Sequence, residues 1–272
     1  MRTFSIFGTA LHDVLEDELL ARLFDIRGLI VTPNPEILLA ARSNNSYRNL
    51  LNSAALSLPD GVATVFAVAA LFNAHDLHRH PGIDVMLKIA SIAEHRNETL
   101  IIVGGYASDH DALCATLGTT RPNLRVRCID PGTISERDPK LAVEYLETIK
   151  HTGPAIAIVA LGQGRGRFQG KQEIVANAIL EAALNVRFAI GVGGAADVLA
   201  GTIVRAPKWF QRFGFEWIWR LWMNPWRFLR IFRAVFVFPT LVAWDTLKQG
   251  RFLRACRSVF NSLVVHFFSK SV

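Results

Sequence analysis

At 272 residues the chain can bury a full core, as one large α/β domain or as a domain plus an appendage, with no need of a metal or disulfide staple. Cys114, Cys128 and Cys256 are odd in number, widely spaced and lack any C-x-x-C pairing, which argues against a disulfide framework or a zinc ribbon and fits a reducing cytoplasm. The net charge of +7 is unevenly placed: residues 1–204 hold 18 Lys and Arg against 21 Asp and Glu, whereas residues 205–272 hold 12 against 2.

The N-terminus, Met1 to Gly8, reads as a short strand rather than as a secretion signal. From about residue 28 to 192 a pattern then repeats. A short β-branched run is followed by a turn rich in Gly, Pro or Asn, and then by an amphipathic stretch. This alternation predicts a mostly parallel sheet with helices on its faces. Strands are expected at Gly28–Thr32, Ala55–Leu58, Thr99–Gly104, Leu124–Cys128, Ala155–Leu161 and Val186–Val192. Several are apolar throughout, as strands covered on both sides should be. Ligands of such sheets collect at the carboxyl ends of the strands, so the turns after them should line the site.

Beyond Gly201 no further strand is expected, and the chain divides into a body, residues 1–204, and a helical appendage, residues 205–272. The appendage carries all six tryptophans and eleven of the eighteen phenylalanines among its basic residues. That mixture suits a membrane surface, with a nucleic-acid surface as the competing explanation. Its longest apolar run, Ala234 to Trp244, is far shorter than the ~20 residues a spanning helix needs. Arg227, Arg230 and Arg233 recur every three residues and fall within a ~120° arc of one helix, a grip for a diphosphate or a solvated basic face.

Several turns could carry chemistry. Pro59-Asp60-Gly61 would put Asp60 at the carboxyl edge of the sheet, where a carboxylate can take a proton from an attacking hydroxyl or merely cap the next helix. Thr32 and Asn34 occupy the equivalent turn of the preceding strand and either orient a sugar or hold their own loop. The glycine-rich loop from Gly162 to Gly170, with Lys171 and Gln172 after it, offers amides and cations as a phosphate cradle. It matches neither the dinucleotide fingerprint nor the P-loop, which makes an NAD-linked oxidoreductase a poor second reading. Gly191-Val192-Gly193-Gly194, followed by Asp197, is similar in kind and places a carboxylate near a ribose or a base edge. His75, His78 and His80 invite a metal reading without a third-ligand spacing, and no Asp-x-Asp pair follows a strand. No metal site is expected, so bound phosphates would fall to arginines.

In order and spacing these pieces resemble the WecG/TagA/CpsF glycosyltransferases from about residue 28 to 235. The resemblance rests on Thr32-Pro33-Asn34-Pro35-Glu36, Pro59-Asp60-Gly61, Arg79 with Gly82 and Asp84, Val103-Gly104-Gly105 and Lys171-Gln172-Glu173. It continues through Gly191 to Asp197, Ala200-Gly201, Arg205-Ala206-Pro207 with Trp209, Phe215-Glu216-Trp217 with Arg220, and Pro225 with Arg227. The resemblance implies a Rossmann-like catalytic domain with an appendage that brings the enzyme to the membrane. It also implies an inverting, metal-independent transfer of a sugar from a UDP donor to a polyprenyl-diphosphate-linked saccharide, in cell-surface polysaccharide synthesis. The UDP-sugar is then a co-substrate and no cofactor is expected. By position Asp60 becomes the general base, and Thr32, Asn34, Arg79 and Gln172 shape the sugar site. Gly104, Gly105, Gly162, Gly193, Gly194 and Asp197 hold the nucleotide, while Arg205, Arg220, Arg227 and Arg230 steady diphosphate charge. The expected location is the cytoplasmic side of the cell membrane, peripherally attached, with no nucleic-acid partner and a homo-oligomer left open.

Two departures from the family pattern bear on the donor. Eight residues separate Gly162 from Lys171, with Gly170 where proline is usual, and Pro131-Gly132-Thr133-Ile134 replaces the usual Gly-Tyr-Phe. The donor sugar is therefore open between N-acetylmannosamine and other hexoses. A catalytically idle membrane- or nucleic-acid-binding module is the alternative from another class.

Overall fold

The computed structural model describes residues 1–161, 170–204, 206–207, 210, 216–223, 225 and 228–268. An antiparallel hairpin of β1 (Arg2–Ile6) and β2 (Thr9–Asp13) opens the chain. Helix α1 (Glu16–Asp25) leads to β3 (Gly28–Val31), and α2 (Pro35–Ser43) and α3 (Asn45–Asn52) cross to β4 (Leu56–Ser57). Helices α4 (Val62–Phe72) and α5 (Gly82–His95) lead to β5 (Thr99–Gly104), and α6 (His110–Thr120) to β6 (Val126–Ile129). Helix α7 (Val143–Lys150) precedes β7 (Ala155–Ala160), α8 (Lys171–Ala182) precedes β8 (Val186–Gly191), and α9 (Ala195–Leu199) follows.

Strands β3 to β8 form one parallel sheet in the order β4-β3-β8-β7-β5-β6. The expected strands are all present, with ends that differ by up to two residues from the sequence pattern. Residues of β5, β7 and β8 are buried on both faces, which explains why their sequences are continuous apolar runs. Alternate residues serve opposite layers. Ile30, Leu100, Ile102, Ile158 and Ile190 meet α1, α5, α6 and α9, while Leu29, Val31, Ile101, Val103 and Val159 meet α2, α3, α7 and α8.

This layering places the site. Going outward from β3, each successive neighbour (β8, β7, β5) sends its following helix to the opposite face from the one before. Such reversals open crevices at the carboxyl ends of the strands. The opposite end of the sheet is closed by Arg187, buried with Glu98 at 2.8 Å and donating to the carbonyls of Leu23 and Phe24, both at 2.9 Å. Stability is concentrated at one end of the strands and open turns at the other.

Cys114 of α6 and Cys128 of β6 approach as thiols, Sγ to Sγ 3.6 Å. Burial, and then Cys114 beside it, pushes the Cys128 thiol up to about 12, so it stays protonated.

The C-terminal section is mostly helical in its described residues: α10 (Glu216–Met223), α11 (Phe228–Phe232), a π-turn at Arg233–Val237, α12 (Phe238–Lys248) and α13 (Phe252–Phe268). The π-turn precedes Pro239, whose ring would clash with the carbonyl four residues back and which has no N–H to give; the wider turn relieves that conflict. Phe238 and Val242 of α12 join Ile6, Leu11, Leu38, Val65 and Val68 in a third buried cluster. Helix α4, apolar all round, is buried because the hairpin, α2, α12 and α13 surround it. Among the described residues no helix is long and apolar enough to cross a membrane.

Candidate functional site

Three turns knit together at the β3–β4 edge. Asn34 caps α2, its side-chain oxygen accepting from the amides of Glu36 (3.0 Å) and Ile37 (3.1 Å), with Pro35 at the first helical position. The Asp60 amide donates to the Pro33 carbonyl (3.0 Å), and the His80 amide donates to the Pro59 carbonyl (3.0 Å). The Asp60 carboxylate accepts from the Gly61 amide at 2.7 Å, and the Thr64 hydroxyl donates to the Asp60 carbonyl at 2.8 Å. Asp60 thus stands at the carboxyl edge of β4 with its backbone fixed on both sides, as the sequence reading required. Asn34, by contrast, spends its side-chain oxygen on its own turn.

Arg79 lies just before α5. It lines a cavity of about 190 Å³ with Glu16, His80, Asp84 and Lys88, at the join between α1 and α5. Gly82, at the start of α5, packs on Val192, so this segment reaches the end of β8.

Thr32, buried, donates to the Gly191 carbonyl at 3.2 Å and ties β3 to the end of β8. Gln172 is also buried. Its amide oxygen accepts from the Gly193 N–H at 2.9 Å, and its NH₂ donates to Glu173 at 2.8 Å. The Tyr47 hydroxyl of α3 donates to the other oxygen of Glu173 at 3.0 Å. Burial, and then the Glu173 charge, pushes the Tyr47 phenol well above its ordinary value and keeps it a donor. The chain Tyr47–Glu173–Gln172–Gly193 therefore braces the turn after β8 from behind. Tyr47 and Glu173 were not singled out as functional from the sequence, although a glutamate in the first turn of α8, where it favours the helix dipole, gave a partial signal.

Gly104, with φ +93°, turns β5 where an added Cβ would lie 2.7 Å from the Leu161 side chain and 2.9 Å from the Ala160 carbonyl. Only glycine fits there. The carboxylate of Asp197 sits between Gly105 and Gly194: Cβ atoms built on these would lie 3.6 and 3.5 Å from its two oxygens. Gly104, Gly105, Gly193, Gly194 and Asp197 are thereby gathered at the ends of β5 and β8.

Of the four arginines expected to steady diphosphate charge, Arg230 is placed. Its Nε and Nη2 donate to one oxygen of Glu36, at 3.0 and 2.6 Å, which carries α11 to the Asn34 turn. Glu36 offsets part of its charge. Gly162, Arg205 and Arg227 lie outside the described residues; Arg220 falls in α10 with its side chain outside the described atoms. His75, His78 and His80 do not converge: they face Ser258, Asp13 and the Val14 carbonyl respectively.

A parallel sheet with repeated switch points, and glycine turns and a fixed carboxylate at the carboxyl ends of its strands, define an α/β protein of the doubly wound class. The chain belongs to the glycosyl transferase WecG/TagA/CpsF family, whose model matches residues 4–252, and it is a glycosyltransferase. It is 28% identical over 206 residues to the N-acetylglucosaminyldiphosphoundecaprenol N-acetyl-beta-D-mannosaminyltransferase of Bacillus subtilis (strain 168), covering 76% of this chain and 75% of that protein. It is 29% identical over 207 residues to the protein of the same description from Bacillus spizizenii, covering 74% of each.

Proposed function

We propose that this glycosyltransferase moves a sugar, N-acetylmannosamine or another hexose, from a UDP donor to a polyprenyl-diphosphate-linked saccharide in cell-surface polysaccharide synthesis. The transfer inverts the anomeric centre and needs neither metal nor cofactor. The acceptor class follows from the names of the relatives. The observation that carries the chemistry is Asp60, held at the strand edge by the Pro33 and His80 contacts of its turn. A base on one side of the anomeric carbon takes the acceptor proton, while cationic donors opposite it take up the charge of the leaving diphosphate. Arg230, brought to the Asn34 turn by Glu36, is one such donor, and Arg205, Arg220 and Arg227 complete the set in this reading.

Residues 205–272 serve as the appendage that holds the enzyme at the cytoplasmic surface of the membrane, where a lipid-linked acceptor resides. Exposed Trp222, Phe232, Phe236, Trp244 and Phe260 among arginines support this.

The test is UDP release from a panel of UDP-sugars with a short-chain polyprenyl-diphosphate N-acetylglucosamine, with and without a chelator. Asp60→Ala should fold and bind UDP but turn over ~10²–10⁴-fold more slowly. Full turnover by that variant removes Asp60 as the base, and activity lost to the chelator removes metal independence. Retention of anomeric configuration in the product, read by NMR, overturns direct displacement.

A further inference from the structure

We propose that a cavity between the end of α4 and the first half of α13 binds the phosphate group of an anionic phospholipid, at a site separate from sugar transfer. The proposal rests on the membrane attachment argued above and gives it a specific contact.

The cavity, about 380 Å³, is lined by Asn73, His75, Arg254, Arg257 and Asn261, with no acidic residue among them. Several other arginines are compensated, as in Arg2 with Asp13, Arg96 with Glu98 and Arg230 with Glu36. Among the described residues Arg254 and Arg257 have no ion-pair partner. His75 is positioned by Ser258, whose hydroxyl lies 3.3 Å from Nδ1 and donates to the Ala69 carbonyl at 2.6 Å. Two guanidinium forks, an imidazole and two side-chain amides form a donor set suited to phosphate oxygens.

The helix geometry selects a lipid as the source of that phosphate. At ~100° per residue, Ala255, Ser258 and Ser262 form the buried seam of α13 against α4. Leu253, Phe260 and Val264 project from the opposite side, exposed by 83%, 64% and 41%. Arg254, Arg257 and Asn261 run along the flank between seam and apolar stripe. A helix that sinks the apolar stripe into acyl chains would hold this flank at headgroup depth. The family match ends at residue 252, so the three α13 residues lie beyond the shared pattern and were not among the candidates it supplied.

The experiment is sedimentation of the full chain with vesicles of phosphatidylcholine alone or mixed with phosphatidylglycerol. It compares wild type, Arg254→Ala/Arg257→Ala, and Lys248→Ala/Arg251→Ala as a control of equal charge outside the cavity. Diffuse attraction should cost the control roughly 30-fold in binding to the anionic vesicles, and loss of the cavity forks roughly ten-fold more. UDP release with a water-soluble short-chain acceptor should be unchanged in the cavity variant; its loss would refute a separate site. Equal losses in the two double variants overturn the cavity as a lipid site and leave the attachment standing. Wild type that ignores phosphatidylglycerol vesicles overturns both. A cavity variant that binds vesicles like the control, yet loses a thermal shift given to wild type by inorganic phosphate, assigns the site to soluble phosphate and defeats the lipid assignment.

Discussion

Glu173 is a carboxylate buried at the first turn of α8, and such a charge persists only where donors surround it. Tyr47 supplies one from α3, and the ring of Tyr47 in turn leaves no room at Gly170, where an added Cβ would lie 2.4 Å from the ring at φ +101°. Removing that donor with Tyr47→Phe should cost about 1–3 kcal/mol in a denaturant melt. An unchanged midpoint would mean that the contact contributes nothing. The effect on turnover should be smaller than for Asp60→Ala, because the brace acts on Gly193 only through Gln172. Gln172 was legible in the sequence as part of Lys171-Gln172-Glu173, yet its role there was to shape the sugar site. Its amide stands behind the β8 turn, because its partners lie 21 and 126 residues away from the motif, at Gly193 and, through Glu173, at Tyr47, and no local pattern reports such pairings.

The turn that presents Asp60 is held by two histidines from different elements. His12 of β2 accepts the Ser57 amide of β4 on Nδ1 (3.1 Å), and His80 meets the Val14 carbonyl through Nε2 (2.9 Å) while its own amide holds Pro59. Burial lowers both pKa values. For His12 the Arg22 charge adds to it, and for His80 it outweighs the Val14 bond and Glu16. The unfolded chain takes up protons near the ordinary histidine value of ~6.5, where the folded chain resists, so stability should fall as the pH drops from about 7 through 6. Asp13 is a separate case. Burial would raise it, but bonds from the His78 amide and ring and from Arg2 hold it below its ordinary value, so its contribution fades only at lower pH. Thermal melts at pH 7.5 and 5.5 check the sign: His80→Gln should flatten the acid side of the profile, and a wild type equally stable at both values contradicts the account. At this scale the sheet was readable, since strands covered on both faces are apolar runs. The second strand of the hairpin was not, because Thr9-Ala10-Leu11-His12-Asp13 buries Thr9 and Asp13 beside Leu11 and hides the expected alternation.

Across the whole molecule, the appendage has to do two incompatible things with the same residue types: pack against the body and leave apolar surface free. Its composition announced an interface, but composition could not say which phenylalanine does which. Phe236, in the π-turn, and Phe238, at the start of α12, are two residues apart and face different sides. Phe236 is 54% exposed, whereas Phe238 is 1% exposed and packs edge-on to Phe7 of the hairpin, 5.7 Å between centroids. Trp244, with Lys248 over its ring at 5.6 Å, also faces outward. The two faces should therefore separate experimentally. Phe238→Ala empties a site shared with Ile6, Leu38 and Val65 and should cost ~3–5 kcal/mol of stability. Trp244→Ala should cost clearly less than Phe238→Ala, because about half of its side chain is already exposed. On vesicles the order reverses, with Trp244→Ala weakening adsorption and folded Phe238→Ala, kept below its lowered melting point, adsorbing as wild type does. If Trp244→Ala unfolds as readily as Phe238→Ala, or adsorbs unchanged, then the outward face is covered by something other than a membrane.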